Sequence, residues 1–516
     1  MNFSKKFLVA TFLFLTLLII GSFNIDASGE TMDEWYHFFV SRRVTSAILH
    51  LDFSEESHGY RTDQPPMYKY VYGPVAVLTQ RFVPTNPSYS MFNLTYTRVA
   101  SVAVTALTAV VILLFGWEFL SPLVGIFSSL IFFFLPYVLA YARVISSDTP
   151  GTLFFSLTVY LFTKAITRPG NNRYYLFATL SLAATLLSKY NNILILPLIC
   201  GIFAVYKYEE LRKTGSVEVP LFLLLMIPLA GVLFFVGWPW IWGDTLTRFT
   251  ISLNHWLKMS QGVSGLNLQY FPVYFVITTP ILVLLGLALF LASLLKDRSK
   301  TKLVLLLWLI VPFGVSISKY KIDGVRFVTA ALVPLSLTCV LGYQYLADLL
   351  DRFKKVNLKL FLPLLVLVYE LVVIAQYHPY YLDYFNEFIG GPRQAAERGI
   401  PAGYWGEGVK EAVDYLNKVA EQGATVRFAV SEPTFIPHIR EDLKVLEPFV
   451  PPSAQSYLNT EDYAASIEAS EKALYLVQYV VGVEGVSKFY DEVYASKVRD
   501  YTLAHVFKLK SEFVPN

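Results

Sequence analysis

The chain has 516 residues, of which 55% are hydrophobic and 16% charged, and its formal net charge is +3. With a mean hydropathy of +0.48, the composition excludes an ordinary soluble globular protein and predicts a polytopic α-helical membrane protein. The small net charge gives no indication of a nucleic-acid partner. Both cysteines, Cys200 and Cys339, lie within apolar runs, which argues against a disulfide framework.

About eleven stretches are long and apolar enough to cross a bilayer, for which about 20 apolar residues are needed. The first follows Lys5 and Lys6 in the manner of a signal peptide. Its length and the lack of a small-residue cleavage site favour a retained helix. The predicted spans are 7–23, 97–116, 119–140, 149–166, 174–188, 191–207, 219–237, 271–295, 302–317, 326–347 and 359–376.

The distribution of Lys and Arg sets the orientation of these spans, because basic residues collect on the cytoplasmic side. Basic clusters precede the first span and follow the fourth, sixth, eighth and tenth spans. All five clusters fall on one side if eleven spans alternate. We therefore predict a multi-pass protein of the cell membrane with a cytoplasmic N-terminus and an extracytoplasmic C-terminus.

The first extracytoplasmic loop, 24–96, opens with two adjacent carboxylates, Asp33 and Glu34. A charge close to the hydrocarbon is costly and often functional. Residues 35–50, which follow, have the pattern of an amphipathic helix lying at the membrane interface. The pair is thus either the start of that helix, where carboxylates are favoured, or an acid/base centre.

After the last span the composition changes, and charged residues become frequent. Residues 409–419 have a helical pattern, 425–430 and 473–480 are β-like, and 461–472 is a further candidate helix. We predict a transmembrane domain, 1–376, which includes the outer-face loop 24–96, and an extracytoplasmic α/β domain, 377–516. The role of the second domain is open between acceptor binding and a lid.

The predicted outer face combines carboxylates with cations. Cations there would neutralise a phosphate or diphosphate, and a carboxylate would take a proton from an acceptor hydroxyl. The structural alternatives are an N-cap for Asp148, snorkelling for Lys189, and anchoring to lipid headgroups for three further cations. These three are Lys319, Lys321 and Arg326.

Four motifs, in this order, resemble the C-type fold of lipid-phosphate-sugar-dependent glycosyltransferases (GT-C). They are the Asp33-Glu34 pair after the first span, Arg143 to Pro150, Leu187 to Asn191, and Lys319 to Phe327. The chain is most similar to the branch of the protein O-mannosyltransferases and aminoarabinose transferases. The resemblance covers roughly residues 5–350.

The resemblance implies an enzyme that moves a sugar from a polyprenyl-phosphate donor to a protein, lipid or glycan acceptor. Asp33 would be the general base, with Glu34 beside it, and Asp148 would orient the acceptor. The lipid phosphate would be held by cations at Arg143, Lys189, Lys319, Lys321 and Arg326.

Two features depart from that family pattern. The C-terminal region does not resemble the β-trefoil of the eukaryotic mannosyltransferases, so the acceptor stays open. No clear metal-binding constellation is present, so a divalent metal at Asp33 or Asp148 also stays open. The alternative function is a transporter or flippase of a lipid-linked sugar, for which inverted repeats and polar midplane residues would be expected; the sequence shows neither.

Overall fold

The computed structural model describes residues 3–60, 62–79, 93–168, 170–259, 268–317, 324–350, 357–400, 402–429, 434–446, 472–479 and 486–514. The chain divides into two compact units. Unit 1 comprises Met1–Phe23, His37–Leu78 and Tyr96–Ile374, and unit 2 comprises Asn24–Tyr36, Thr79–Thr95 and Ala375–Asn516.

The described residues up to the end of the last apolar helix are almost entirely helical. The helices are α1 (Phe3–Ser22), α2 (Glu34–Leu49), α3 (Glu55–His58), α4 (Met67–Thr79), α5 (Thr95–Phe119), α6 (Pro122–Phe134), α7 (Pro136–Ala142), α8 (Asp148–Thr167), α9 (Asn172–Leu186), α10 (Ile195–Thr214), α11 (Leu221–Val236), α12 (Thr245–Met259), α13 (Tyr270–Ile277), α14 (Ile281–Ser293), α15 (Lys300–Ile310), α16 (Thr329–Leu349) and α17 (Leu358–Tyr377). The interfacial helix predicted at 35–50 corresponds to α2.

Each predicted span corresponds to a helix or to a pair of helices. Within the described ranges, six helices are long and apolar enough to cross a membrane, or eight if two bent pairs each count as one span. The count of eleven stays a prediction. The bent pairs are α6 with α7, at 69°, and α13 with α14, at 116°. Pro136 and Pro280 lie at these breaks, where a residue without an N–H interrupts the helical hydrogen bonds.

In unit 1, α8 packs along α9, and α14 packs along α16. The second pair approaches closely through two glycines, since a Cβ added at Gly342 would lie 1.9 Å from the carbonyl oxygen of Gly286. At one end of the unit, Glu118 forms ion pairs with Lys6, Lys164 and Arg168. The start of α1 and the ends of α5 and α8 therefore meet, as alternating spans require.

Unit 2 contains a five-stranded mixed sheet with the order β2-β1-β3-β5-β4. The strands are β1 (Thr425–Phe428), β2 (Lys444–Leu446), β3 (Tyr475–Tyr479), β4 (Tyr490–Val498) and β5 (Tyr501–Leu509). β1 is parallel to β2 and β3, whereas β5 is antiparallel to β3 and β4. Two further helices are α18 (Gly391–Glu397) and α19 (Val409–Val419).

The apolar face of α19 and the facing side of the sheet form the core of unit 2, with Val413, Leu416, Val426 and Val477 fully buried. The small helix-and-sheet unit agrees with the predicted α/β pattern, and α19 covers the predicted helix. The sequence does not predict β2, β4 or β5. The helix predicted at 461–472 falls outside the described ranges, apart from Lys472. The domain boundary and the extracytoplasmic position stay predictions.

Candidate active site

Asp148 is the first residue of α8 and the centre of a buried ionic cluster in unit 1. Its Oδ1 lies 2.5 Å from Nζ of Lys189, and its Oδ2 lies 2.9 Å from Nε of Arg326. All three side chains are at least nine-tenths buried. We call these three residues the Asp148 cluster. The preceding N-cap residue, Ser147, makes no side-chain capping bond, and the Asp148 carboxylate is used for ion pairs.

Two short turns bring the cations to Asp148. Lys189 is an extended residue directly before the 3₁₀ turn Tyr190–Leu194, and Arg326 lies within the 3₁₀ turn Gly324–Val328. The turns are joined because Nδ2 of Asn191 donates to the carbonyl of Phe327 over 2.8 Å. The Lys189 ammonium also lies 4.4 Å from the centre of the Phe327 ring, a cation–π distance. Lys189 is therefore held inside the protein and does not snorkel.

Hydroxyl groups surround the start of α8. Oγ1 of Thr149 lies 2.6 Å from the Tyr72 hydroxyl, and Oγ1 of Thr152 donates to Thr329 over 2.9 Å. Asp148, Thr149, Thr152 and Thr329 contribute to the lining of a small cavity of about 20 Å³. Sequence reasoning missed these hydroxyls, because single Ser, Thr and Tyr residues in apolar helices carry no spacing signal.

Gln64 is a second residue that sequence reasoning missed. Its Oε1 accepts a hydrogen bond from the Ser147 hydroxyl over 2.8 Å, which ties the segment before α4 to the residue preceding Asp148. Nearby in sequence, the buried Lys69 ammonium donates to the carbonyl of Tyr60 over 2.7 Å. The first loop therefore contributes polar groups to unit 1.

Arg143 contacts the end of α1. Its Nη1 donates to the carbonyl oxygens of Gly21, at 3.0 Å, and Phe23, at 2.8 Å. These carbonyls lie in and directly after the last turn of α1, where backbone acceptors lack helical partners. Arg143 thus fixes the end of the first helix to the segment before α8, and its contact with a lipid phosphate stays a prediction.

Asp33 and Glu34 lie in unit 2, in the turn that leads into α2. The buried Glu34 carboxylate accepts the N–H of Thr31 over 3.0 Å, and the Glu34 N–H donates to the Thr31 carbonyl over 3.3 Å. The Thr-x-x-Glu spacing and the side-chain bond resemble those of a capping box. Glu34 therefore starts the helix, whereas Asp33 is half-buried in the turn before it.

Lys319 and Lys321 lie outside the described residues. Among the residues that the structure does describe, no group of three His, Cys, Asp or Glu side chains could hold a metal ion. Both oxygens of Asp148 face cations, an environment that disfavours a divalent cation.

Residues 63–240 match the family model described as dolichyl-phosphate-mannose-protein mannosyltransferase. This segment contains Asp148 and Lys189. No curated protein matches the chain.

Two crystal structures of ArnT from Cupriavidus metallidurans share the fold. The structure bound to undecaprenyl phosphate is 12% identical, with a TM-score of 0.52, and the match covers 98% of this chain and 99% of that one. The apo structure is 14% identical, with a TM-score of 0.53, and the match covers 98% of each chain.

The family match and the fold confirm the C-type glycosyltransferase resemblance recognised in the sequence. They indicate a glycosyltransferase, and the apolar helices indicate a multi-pass membrane protein.

Proposed function

We propose that this protein transfers a sugar from a polyprenyl-phosphate donor to a hydroxyl of a protein, lipid or glycan acceptor on the extracytoplasmic face of the cell membrane. The observation that carries the proposal is the Asp148 cluster. Sequence reasoning selected all three of its residues from separate loops, and they meet in one buried set of ion pairs.

The charge of the cluster favours an anionic ligand. Lys189 and Arg326 contribute two positive charges and Asp148 one negative charge, which leaves a formal charge of +1 in a site shielded from water. Electrostatic attraction is strengthened where water is excluded. The N-terminus of α8 adds a partial positive charge. A phosphate fits this environment, and ArnT, which has the same fold, is bound to undecaprenyl phosphate.

Separate roles follow for the side chains. Lys189 and Arg326 hold the donor phosphate, and Asp148 orients both cations. The family resemblance also assigns to Asp148 the orientation of the acceptor. Arg143, Lys319 and Lys321 are proposed as further phosphate contacts. Asp33 is the general base, and Glu34 supports it by fixing the turn through Thr31.

The reaction is a single inverting displacement. The acceptor oxygen forms a bond to the anomeric carbon while the bond between that carbon and the phosphate oxygen breaks. The polyprenyl phosphate leaves with the electron pair, and Asp33 accepts the hydroxyl proton. In-line attack requires the acceptor oxygen about 3–3.5 Å from the anomeric carbon.

The proposed topology supports a lipid-carried donor. Eleven alternating spans place the N-terminus in the cytoplasm and Asp33 and residues 377–516 outside. Nucleotide sugars are cytoplasmic, so an outer-face site needs a donor that the membrane delivers. Cysteine labelling of the loop 24–36 and of residues 402–429 in intact cells tests this orientation.

A donor panel tests the function. Purified protein is incubated with polyprenyl phosphates carrying hexoses, pentoses or amino sugars, and released polyprenyl phosphate is measured together with the glycosylated acceptor. We expect stoichiometric release of the two products with at least one donor. Movement of lipid-linked sugar between bilayer leaflets without release of lipid phosphate would instead establish the flippase alternative.

A further inference from the structure

The loop that carries Asp33 is attached to the C-terminal sheet within unit 2. The N–H of Met32 donates to the carbonyl of Trp405 over 3.2 Å. The Met32 side chain packs against the core between α19 and the sheet, and its sulfur lies 3.6 Å from the Tyr479 hydroxyl. The residue directly before the proposed base is therefore fixed by backbone and side-chain contacts.

The partner segment is a tight turn that depends on glycine. Gly406 has a φ of +104°, and a Cβ added there would lie 2.9 Å from Cγ2 of Thr434 and 3.2 Å from the carbonyl oxygen of Glu30. Gly29, on the Asp33 side, has a φ of +79° and would place a Cβ 2.7 Å from Cβ of Lys410. At Gly406 and at Gly29, the neighbouring atoms lie closer than a Cβ would permit, so both positions require glycine.

Two buried carboxyl groups hold the turn from inside. Oε2 of Glu407 accepts the N–H of Trp405 over 2.8 Å, and Oδ1 of Asp383 accepts the N–H of Gly403 over 2.5 Å. Glu407 is 6% exposed and Asp383 is 1% exposed. Trp405 is therefore held on both sides: its N–H donates to Glu407, and its carbonyl accepts from the N–H of Met32.

We propose that the segment Gly403–Glu407 of the C-terminal domain is the positioning element for Asp33, acting through the Trp405–Met32 hydrogen bond. This inference rests on the proposed function, because it assigns the domain the task of holding the general base in place. Glu407 and Trp405 are positioning residues. Glu34 and Thr31 fix the turn from its other side, so both neighbours of Asp33 are held.

The test compares Glu407→Ala with Glu407→Gln. Alanine leaves the Trp405 N–H without its acceptor, whereas the glutamine oxygen can still accept that bond. Glu421→Ala is the matched control, since Glu421 is a carboxylate of the same domain that pairs with Tyr475 and Lys508. Hydrogen exchange of residues 29–36, kcat, the KM for the lipid donor and thermal unfolding are measured for each variant.

For Glu407→Ala we expect faster exchange in residues 29–36 and a kcat lowered about tenfold to a hundredfold, because small displacements of a catalytic group have effects of this size. The KM for the donor should not change, since the phosphate contacts belong to unit 1. Glu407→Gln should restore kcat to within about threefold of the wild type.

Two results would overturn the positioning role. One is unchanged exchange and kcat in Glu407→Ala; the other is an equal loss of kcat in Glu407→Ala and Glu421→Ala. A wild-type protein that transfers no sugar would instead refute the proposed function. In that event, the exchange measurement still decides whether the Gly403–Glu407 segment holds the loop.

Discussion

Replacing Lys189 with methionine removes one ammonium group from the Asp148 cluster and leaves an unbranched apolar side chain one atom shorter. The lost contact is the 2.5 Å ion pair with Asp148, which retains its 2.9 Å contact with Arg326. A hydrogen bond to a charged group is worth about 1.5–3 kcal/mol. Because Asp148 keeps one cation, the loss of folding free energy should lie below the 3–5 kcal/mol of an orphaned buried charge.

The same change should weaken donor recognition, because an ammonium–phosphate contact is also charge-assisted. A loss of about 1.5–3 kcal/mol corresponds to about a tenfold to a hundredfold decrease in kcat/KM. The assay is initial-rate transfer over a range of donor concentrations, combined with binding of the sugar-free polyprenyl phosphate. We expect the decrease to appear mainly as a raised KM and a raised Kd.

Lys164→Met is the matched control. Lys164 is also a partly shielded lysine of unit 1 and pairs with Glu118 over 3.1 Å, at the opposite end of α8. It should reduce stability without changing the Kd for polyprenyl phosphate. The assignment of the phosphate site would be refuted if Lys189→Met bound polyprenyl phosphate as tightly as the wild type, or if the two variants weakened binding equally.

The remaining predictions concern unit 2. Glu34→Ala should lower the free energy of unfolding by about 1 kcal/mol, because the Thr31 N–H loses its acceptor, whereas Glu34→Gln should be nearly neutral; thermal unfolding distinguishes them, and equal losses would contradict the capping role. Burial raises the pKa of Glu407 to about 7 and raises the pKa of Asp383, which also faces Glu407. Because the folded state then binds more protons than the unfolded state, stability should fall as the pH rises from about 4.5 to about 7, by up to about 1.4 kcal/mol per pH unit for Glu407. Asp383→Asn should flatten this profile, and wild-type stability that rises across the window relative to the variant would contradict the assignment.

The sequence predicts a common side of the membrane for the three residues of the Asp148 cluster, but it does not predict their ion pairs. Once spans alternate, the start of α8, the segment after α9 and the segment before α16 must share one end of the bundle. Folding brings the carboxylate and the two cations together at that end, where they form ion pairs. The identities of Asp148, Lys189 and Arg326 could therefore be inferred, but the cavity of hydroxyls beside them could not.

Local signals were present for some features that sequence reasoning did not use. The Thr31-to-Glu34 spacing is a capping signature, and Pro136 and Pro280 mark breaks inside the predicted spans 119–140 and 271–295. Hydropathy averages over such breaks, because each proline is surrounded by apolar residues. A 116° bend consequently has almost no effect on the apparent length of a span.

The attachment of Met32 to Trp405 lay beyond sequence reasoning for a different reason. The two residues are far apart in the chain, and the local sequence around neither of them indicates a partner. Their contact depends on the left-handed backbone of Gly406 and on a buried carboxyl group at Glu407. Such contacts are specified by tertiary packing. The sequence therefore predicts the Asp33 loop as part of the transmembrane domain.

The most direct test of the central claim is transfer by Asp33→Asn at saturating donor, with donor binding measured on the same protein. Asparagine keeps the shape of the side chain, but it cannot take the proton from the acceptor hydroxyl as a carboxylate does. Asp26→Asn is the control, since Asp26 belongs to the same loop and accepts a hydrogen bond from the Thr95 hydroxyl over 2.7 Å. We predict a kcat lowered about 10²- to 10⁴-fold for Asp33→Asn alone, with unchanged binding of the donor. Transfer by Asp33→Asn at the wild-type rate would contradict the account.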